Sequence, residues 1–365
     1  MPNLSLPIQR YLLRPGTTAN ISCKFHDHRR VDWVDYCKGL GIFYVVLGHV
    51  LRGLRQGAIL SDSPLCQFTD NWLYSFHMPL FFFLSGLFVQ RSTRRSVAEF
   101  TLDKAAVLVY LYFVWSILQG LAETSHYANH PIAITDLLKI GWIPIAQYWF
   151  FYTLFSVFLI YMLLNTMFAS DIPFLCVSIS WFVLERSGLE LIKWDVMHYI
   201  GSFAVYFAAG AAVAPGSILM KFAELRNRWL LAICIGAYGV VALEIVAHPE
   251  HDSIVMPARA AAGIIATIGL AILIARSAKF SLIKLWGILS LEIYVAHSLA
   301  AAPMRVALYR ILDFREPWLY IVVCVFVGLH GPIFLAYVCH WLGFPYAFRA
   351  SGWRLQSWTE SSSRT

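Results

Sequence analysis

Ten stretches of this chain approach the roughly 20 apolar residues that carry a helix through a bilayer. In hydrocarbon, backbone N–H and C=O groups have no water to bond, so such stretches must close their hydrogen bonds internally as helices. They begin near Tyr36, Trp72, Ala105, Ala146, Ile172, Tyr199, Trp229, Val255, Ile283 and Trp318. The fifth, Ile172 to Ser187, is the shortest and ends on Glu185 and Arg186. Charged residues make up 13% of the chain and hydrophobic ones 59%, against roughly 25% charged in ordinary soluble domains. A water-soluble globule is excluded. The expectation is an all-α polytopic membrane protein with about ten transmembrane helices, flanked by tails at 1–33 and 346–365, with the membrane domain spanning 34–345.

Orientation follows from the basic residues. With the N-terminus in the cytoplasm, 19 of the 28 Lys and Arg fall on the cytoplasmic side, six of them in the segment through Lys38. Both termini are therefore expected to be cytoplasmic. These residues sit in short connections rather than on one face, so topology accounts for the net charge of +7 and a nucleic-acid partner is not indicated. The first thirty residues lack an early apolar core and a small-residue cleavage site, so the first span is expected to stay uncleaved. Seven scattered cysteines without any Cys-x-x-Cys read as small core hydrophobes. Cys23, His26 and His28 have metal-like spacing but lie in a polar tail, and no metal is expected.

Ionisable groups inside apolar helices are costly and are functional candidates by default. In the first span, Lys38 and His49 are eleven residues apart, three turns of helix and roughly 16 Å along one face. Asp35 and Arg52, each three residues beyond an end of that pair, extend the same stripe. Gly39, Gly41 and Gly48 remove side chains beside it, which admits a second helix or a thin ligand. In the second span, His77 lies at a comparable outer-half depth in the returning direction, two residues before a Pro79 of the kind tolerated where a span lines a cavity. The two imidazoles are expected to meet. His297, in Ser290-Leu-Glu292-Ile-Tyr294-Val-Ala-His297, is equally readable as part of a polar packing seam, and Trp149 as an interfacial anchor. His248 and His251, beside Glu250 and Asp252, read as a solvated turn.

At these residues the chain resembles the membrane-bound acyltransferase-3 family, closest to the branch that acetylates sugars and includes rhizobial Nod-factor O-acetyltransferases. The resemblance rests on Lys38 and His49 within Asp-x-x-Lys-Gly…Gly-His and on Phe76-His-Met-Pro-Leu-Phe-Phe-Phe-Leu-Ser85-Gly86. Tyr148-Trp-Phe and Ser290…Tyr294…His297 add to it. The segment from Asp103 to Tyr110 departs from the family in lacking a richer basic cluster and a proline. No C-terminal hydrolase-like domain is expected after the tenth span.

What the resemblance implies is an O-acyltransferase of the bacterial inner membrane. It would move an acyl group, commonly acetyl from acetyl-CoA, to a hydroxyl of a glycan or lipo-oligosaccharide. In that scheme Lys38, Arg91, Arg94 and Arg95 would attract donor phosphates, with the thioester arm following the glycine-lined face. His49 would act as general base or acyl carrier, while Arg52 and His77 would stabilise an oxyanion or orient His49. Asp35, Ser85, Trp149, Glu292 and His297 would support substrate or structure. Two other readings remain open from the residues alone: a transporter of a glycan or small anion using the same polar line, and a silent scaffold.

Overall fold

The computed structural model describes residues 31–350 apart from 94, 126–128, 130, 189–191, 215, 249–255, 278 and 315. Arg94, the Cys23/His26/His28 cluster, His251 with its acidic neighbours, and the C-terminal residues from 351 onward therefore lie outside the described residues.

Among the described residues the chain forms twelve α-helices. They are α1 (Asp32–Gln56), α2 (Pro64–Leu87), α3 (Val97–Glu123), α4 (Trp149–Phe168), α5 (Ile172–Arg186) and α6 (Asp195–Val213). The remainder are α7 (Ile218–Glu224), α8 (Asn227–Ala247), α9 (Met256–Ser277), α10 (Ser281–Ile288), α11 (Ser290–Arg310) and α12 (Pro317–Trp341). Local chemistry sets several of these ends. Asp32 and Asp35 lie in the first turn of α1 and Arg55 in its last, each matching the sign the helix dipole favours. Pro64 opens α2 behind Ser63, whose hydroxyl caps the Cys66 N–H at 3.3 Å. Ser96 and Glu99 form a reciprocal capping box at the start of α3. α3 carries one π-helical turn over Ala105–Val109.

Among the described residues eight helices are long and apolar enough to cross a membrane, and a ninth crossing is available if the bent α10–α11 pair is one span. Two of the ten apolar stretches thus depart from simple spans. α5 has 15 residues, about 22 Å of rise against a core of about 30 Å. The stretch beginning near Ile283 breaks at Leu289, where α10 meets α11 at 88°.

α1 is the most enclosed helix, packed against α2, α9, α10, α11 and α12. α8 and α12 present Leu231, Ile235, Leu243, Val246, Val322, Phe326 and Phe334 outward, the surface a bilayer would solvate. Small residues permit the closest crossings. A Cβ on Gly287 of α10 would stand 1.7 Å from the Asp35 carbonyl oxygen of α1, and one on Gly39 would stand 2.0 Å from the Ile283 carbonyl oxygen. Gly86 of α2 and Gly210 of α6 meet the Phe207 and Phe83 carbonyls in the same manner. The glycine-lined face of α1, expected to admit a second helix or a thin ligand, is filled by protein. Backbone of α10 lies against Gly39, the Phe81 ring against Gly41 and the Tyr74 ring against Gly48. Close helix approach takes this space because dispersion contacts are what hold helices together in lipid. Past residue 345 the chain stays packed: Tyr110 and Trp115 of α3 donate to the Tyr346 and Ala347 carbonyls at 2.6 and 2.8 Å.

Gly287→Ala and Gly210→Ala each force a Cβ onto backbone that cannot rotate aside, so each is expected to cost at least about 1–3 kcal/mol. Thermal unfolding in detergent would show it. Gly236→Ala, with nothing within 4 Å of the added Cβ, should melt as the unmodified protein does.

Candidate active site

His49 of α1 lies beside His297 of α11, with ring centroids 5.0 Å apart. His77 of α2 is reached through Tyr74, one helical turn before it, whose ring is 4.6 Å from His77 and 6.3 Å from His49. The structure therefore gathers three imidazoles, with the third from a helix distant in sequence, and sets a tyrosine between His49 and His77. His77 and His297 are 1% and 0% exposed, whereas His49 is half-buried.

Arg52, one turn beyond His49, stacks its guanidinium on the face of Tyr74, 3.1 Å from the ring centroid. It also forms a two-point ion pair with Asp70 of α2, at 2.7 and 2.9 Å. The bidentate geometry orients the planar cation, and the stacking adds cation–π attraction. Asp70, Tyr74 and His77 recur at i, i+4 and i+7, one face of α2. Sequence reasoning passed over Asp70 and Tyr74, although that periodicity and an acid opposite Arg52 were both legible. On its other side Arg52 borders an open cleft of about 780 Å³, lined also by Arg55, Gln56, Asp62 and Asp70. The cleft lies at the end of α1 remote from the N-terminus, with Arg52 and Asp70 in its lining.

The α11 turn that bears His297 is held by a reciprocal pair of bonds. Tyr148 donates to the Val295 carbonyl at 2.7 Å, and Tyr294 donates to the Gln147 carbonyl. The 3₁₀ turn Ala146–Tyr148 before α4 is thereby clamped to α11, and Ala146 adopts a left-handed φ of 47° to enter it. At the far end, Arg305 donates to the Gly53 carbonyl of α1 at 2.6 Å. With His297 beside His49 and Arg305 beside Gly53, α11 runs parallel to α1.

The remaining sequence candidates are distributed differently. Asp35 is buried in the first turn of α1, and Lys38 lies one turn further on. Arg91, exposed beyond α2, lies with its guanidinium 5.1 Å from the Phe88 ring centroid, and Arg95 is ion-paired with Asp103. Ser85 donates to the Phe81 carbonyl of its own helix at 2.8 Å. Trp149 stacks on Tyr199 at 4.5 Å and lies 5.1 Å from Phe203, joining α4 to α6. Glu292 occupies the first turn of α11 just past the break, where the helix dipole favours a carboxylate. No group of three or more His, Cys, Asp or Glu suited to a metal ion occurs among the described residues.

The structure thus gathers three imidazoles between apolar helices, with one arginine beside both them and a polar cleft, and imidazole is the side chain suited to taking and giving protons near neutral pH. The chain belongs to the acyltransferase-3 family, whose description, acyltransferase domain, matches residues 31–337. It is similar to nodulation protein NolL of Sinorhizobium fredii (strain NBRC 101917 / NGR234), with 28% identity over 148 residues, 38% of each chain. It is also similar to nodulation protein NolL of Mesorhizobium japonicum (strain LMG 29417 / CECT 9101 / MAFF 303099). That match has 27% identity over 156 residues, 42% of this chain and 41% of the relative. The matches thus span about two fifths of these curated relatives. No solved structure matches the chain. Its long apolar helices make it a multi-pass membrane member of that family.

Removing either hydroxyl of the clamp leaves a buried carbonyl without its donor. Tyr148→Phe and Tyr294→Phe should each lower stability by about 1 kcal/mol, the scale of interhelical hydrogen bonds in membranes. Because both bonds hold one turn, the double variant should lose less than the sum of the two, measured as a double-mutant cycle on melting in detergent.

Proposed function

We propose that the protein transfers an acetyl group from acetyl-CoA to a hydroxyl of a glycan or lipo-oligosaccharide at the bacterial inner membrane, with both termini in the cytoplasm. The single observation that carries this reading is the placement of His49 beside His297 and Tyr74, next to an arginine-lined cleft, in a chain of the acyltransferase family. The similarity to two nodulation proteins accords with the resemblance to Nod-factor O-acetyltransferases, which is the ground for proposing a lipo-oligosaccharide acceptor.

The acceptor enters from the cleft bounded by Arg55, Gln56, Asp62 and Asp70, which offers polar partners to sugar hydroxyls. His49 takes the proton of the attacking hydroxyl. The oxygen bonds to the acetyl carbonyl carbon, the carbon–sulfur bond breaks, and the proton passes from His49 to the departing thiolate. Arg52, fixed by Asp70, meets the negative charge that develops on the carbonyl oxygen, and the buried His77, its Nδ1 bonded to the Leu73 carbonyl, packs against Tyr74 and so helps to orient His49. Lys38, Arg91 and Arg95 lie toward the N-terminal end of α1 and attract the donor's phosphates from the cytoplasm. The pantetheine arm takes a course other than the glycine face of α1, which Ile283, Phe81 and Tyr74 fill. A carrier is disfavoured because transporters commonly break helices in two corresponding halves, and one broken pair, α10–α11, occurs among the described residues.

His49→Ala should reduce acetyl transfer from labelled acetyl-CoA by at least about 100-fold in proteoliposomes supplied with a lipo-oligosaccharide extract. Its melting in detergent should be unchanged. Full transfer by that variant would reject His49 as the base, and passage of unmodified glycan across the vesicle wall would favour the carrier.

A further inference from the structure

We infer that His297 is a positioning residue that fixes the tautomer of His49. The inference rests on the reading of His49 as the base given above. It begins with the His297 ring, in which Nδ1 lies 3.2 Å from the Ile293 carbonyl oxygen and 2.8 Å from the Tyr294 carbonyl oxygen. A carbonyl oxygen only accepts, so Nδ1 must carry the hydrogen, and the neutral ring then keeps its lone pair on Nε2. The Tyr148–Tyr294 clamp holds the very turn whose carbonyls make this assignment. The side chain is fully buried, and its Nε2 has no hydrogen-bond partner among the described residues.

Nε2 leaves the imidazole on the side away from the α11 backbone, and the ring next to His297 is His49, with centroids 5.0 Å apart. An unanswered, fully buried acceptor beside a second imidazole calls for an N–H. His49 supplies one by turning one ring nitrogen toward His297. Its other nitrogen then holds the lone pair and points to the acceptor hydroxyl. Without that partner His49 is divided between two tautomers, one of which presents an N–H where a base is needed. His297 takes up no proton in this scheme. The hydroxyl proton goes to the free nitrogen of His49 and onward to the thiolate, while His297 keeps accepting the same N–H throughout. His77 does not supply the equivalent partner, because Tyr74 stands between it and His49.

Glutamine and asparagine separate this role from packing. The amide oxygen of Gln reaches the position of Nε2, whereas Asn reaches only that of Nδ1, the atom that bonds the α11 carbonyls. Release of CoA thiol from acetyl-CoA would be followed in proteoliposomes containing a lipo-oligosaccharide extract, using variants that melt within a few degrees of the parent. His297→Gln should keep kcat within about threefold, whereas His297→Asn and His297→Phe should lose at least about tenfold with KM for acetyl-CoA unchanged. Asn performing as well as Gln, or all three variants falling together, would overturn the assignment. A second measurement needs no variant: ¹⁵N-histidine spectra of the intact protein in lipid should show His297 protonated on Nδ1 and accepting on Nε2. A His297 protonated on Nε2 would overturn it equally. The His49→Ala result separates the two layers, since an active His49→Ala removes the base itself. An inactive one with Asn equal to Gln removes only the role of His297.

Discussion

Hydrocarbon offers nothing to a hydrogen-bonding group, and the polar centre exists because its protein partners come from helices far apart in sequence. Arg52 is tolerable inside a span because Asp70 meets both arms of its guanidinium and Tyr74 covers one face. His77 and His297 spend one nitrogen each on a carbonyl of their own helix, His77 at 2.6 Å from the Leu73 oxygen. Tyr148 donates to the Val295 carbonyl and Tyr294 to the Gln147 carbonyl, joining α11 to the turn before α4. Each bond is modest in lipid, where interhelical hydrogen bonds average well under 2 kcal/mol. Their collective effect is orientation, since a ring with a single available partner has a single available pose.

Close packing decides where the centre can be approached. Glycines let α1 touch α10 through backbone atoms at Gly39 and Gly287, and let α2 touch α6 at Gly86 and Gly210. On α1 the places beside Gly39, Gly41 and Gly48 are taken by Ile283, Phe81 and Tyr74. At the other pole α1 ends in a turn through Ala58, a residue with φ of 54°, and the chain returns through Ser63 into α2. The space between these two helix ends is the cleft beside Arg52. The two poles thus differ, with a polar cleft at one and Lys38, Arg91 and Arg95 toward the other end of α1.

The break at Leu289 illustrates how tertiary contacts override a continuous apolar run. From Ile283 onward the residues read as one span, yet α10 turns 88° from α11 to lay Gly287 against α1. Starting α11 at Ser290 puts Glu292 at a helix N-terminus and brings His297 level with His49. A straight helix would carry the same residues at a different depth and register.

Periodicity and apolar length were enough to specify the helical membrane class, the polar stripe of Asp35, Lys38, His49 and Arg52 on α1, and the return of His77 on α2. These are properties of single helices, and single helices are governed by local hydrogen bonding and by the bilayer's thickness. Which groups pair was not legible in the same way. That His297 rather than His77 is the imidazole beside His49, and that Tyr74 fills the space left by Gly48, depend on helix crossings. Crossings arise from the fit of many side chains between segments hundreds of residues apart, and no local pattern encodes that fit.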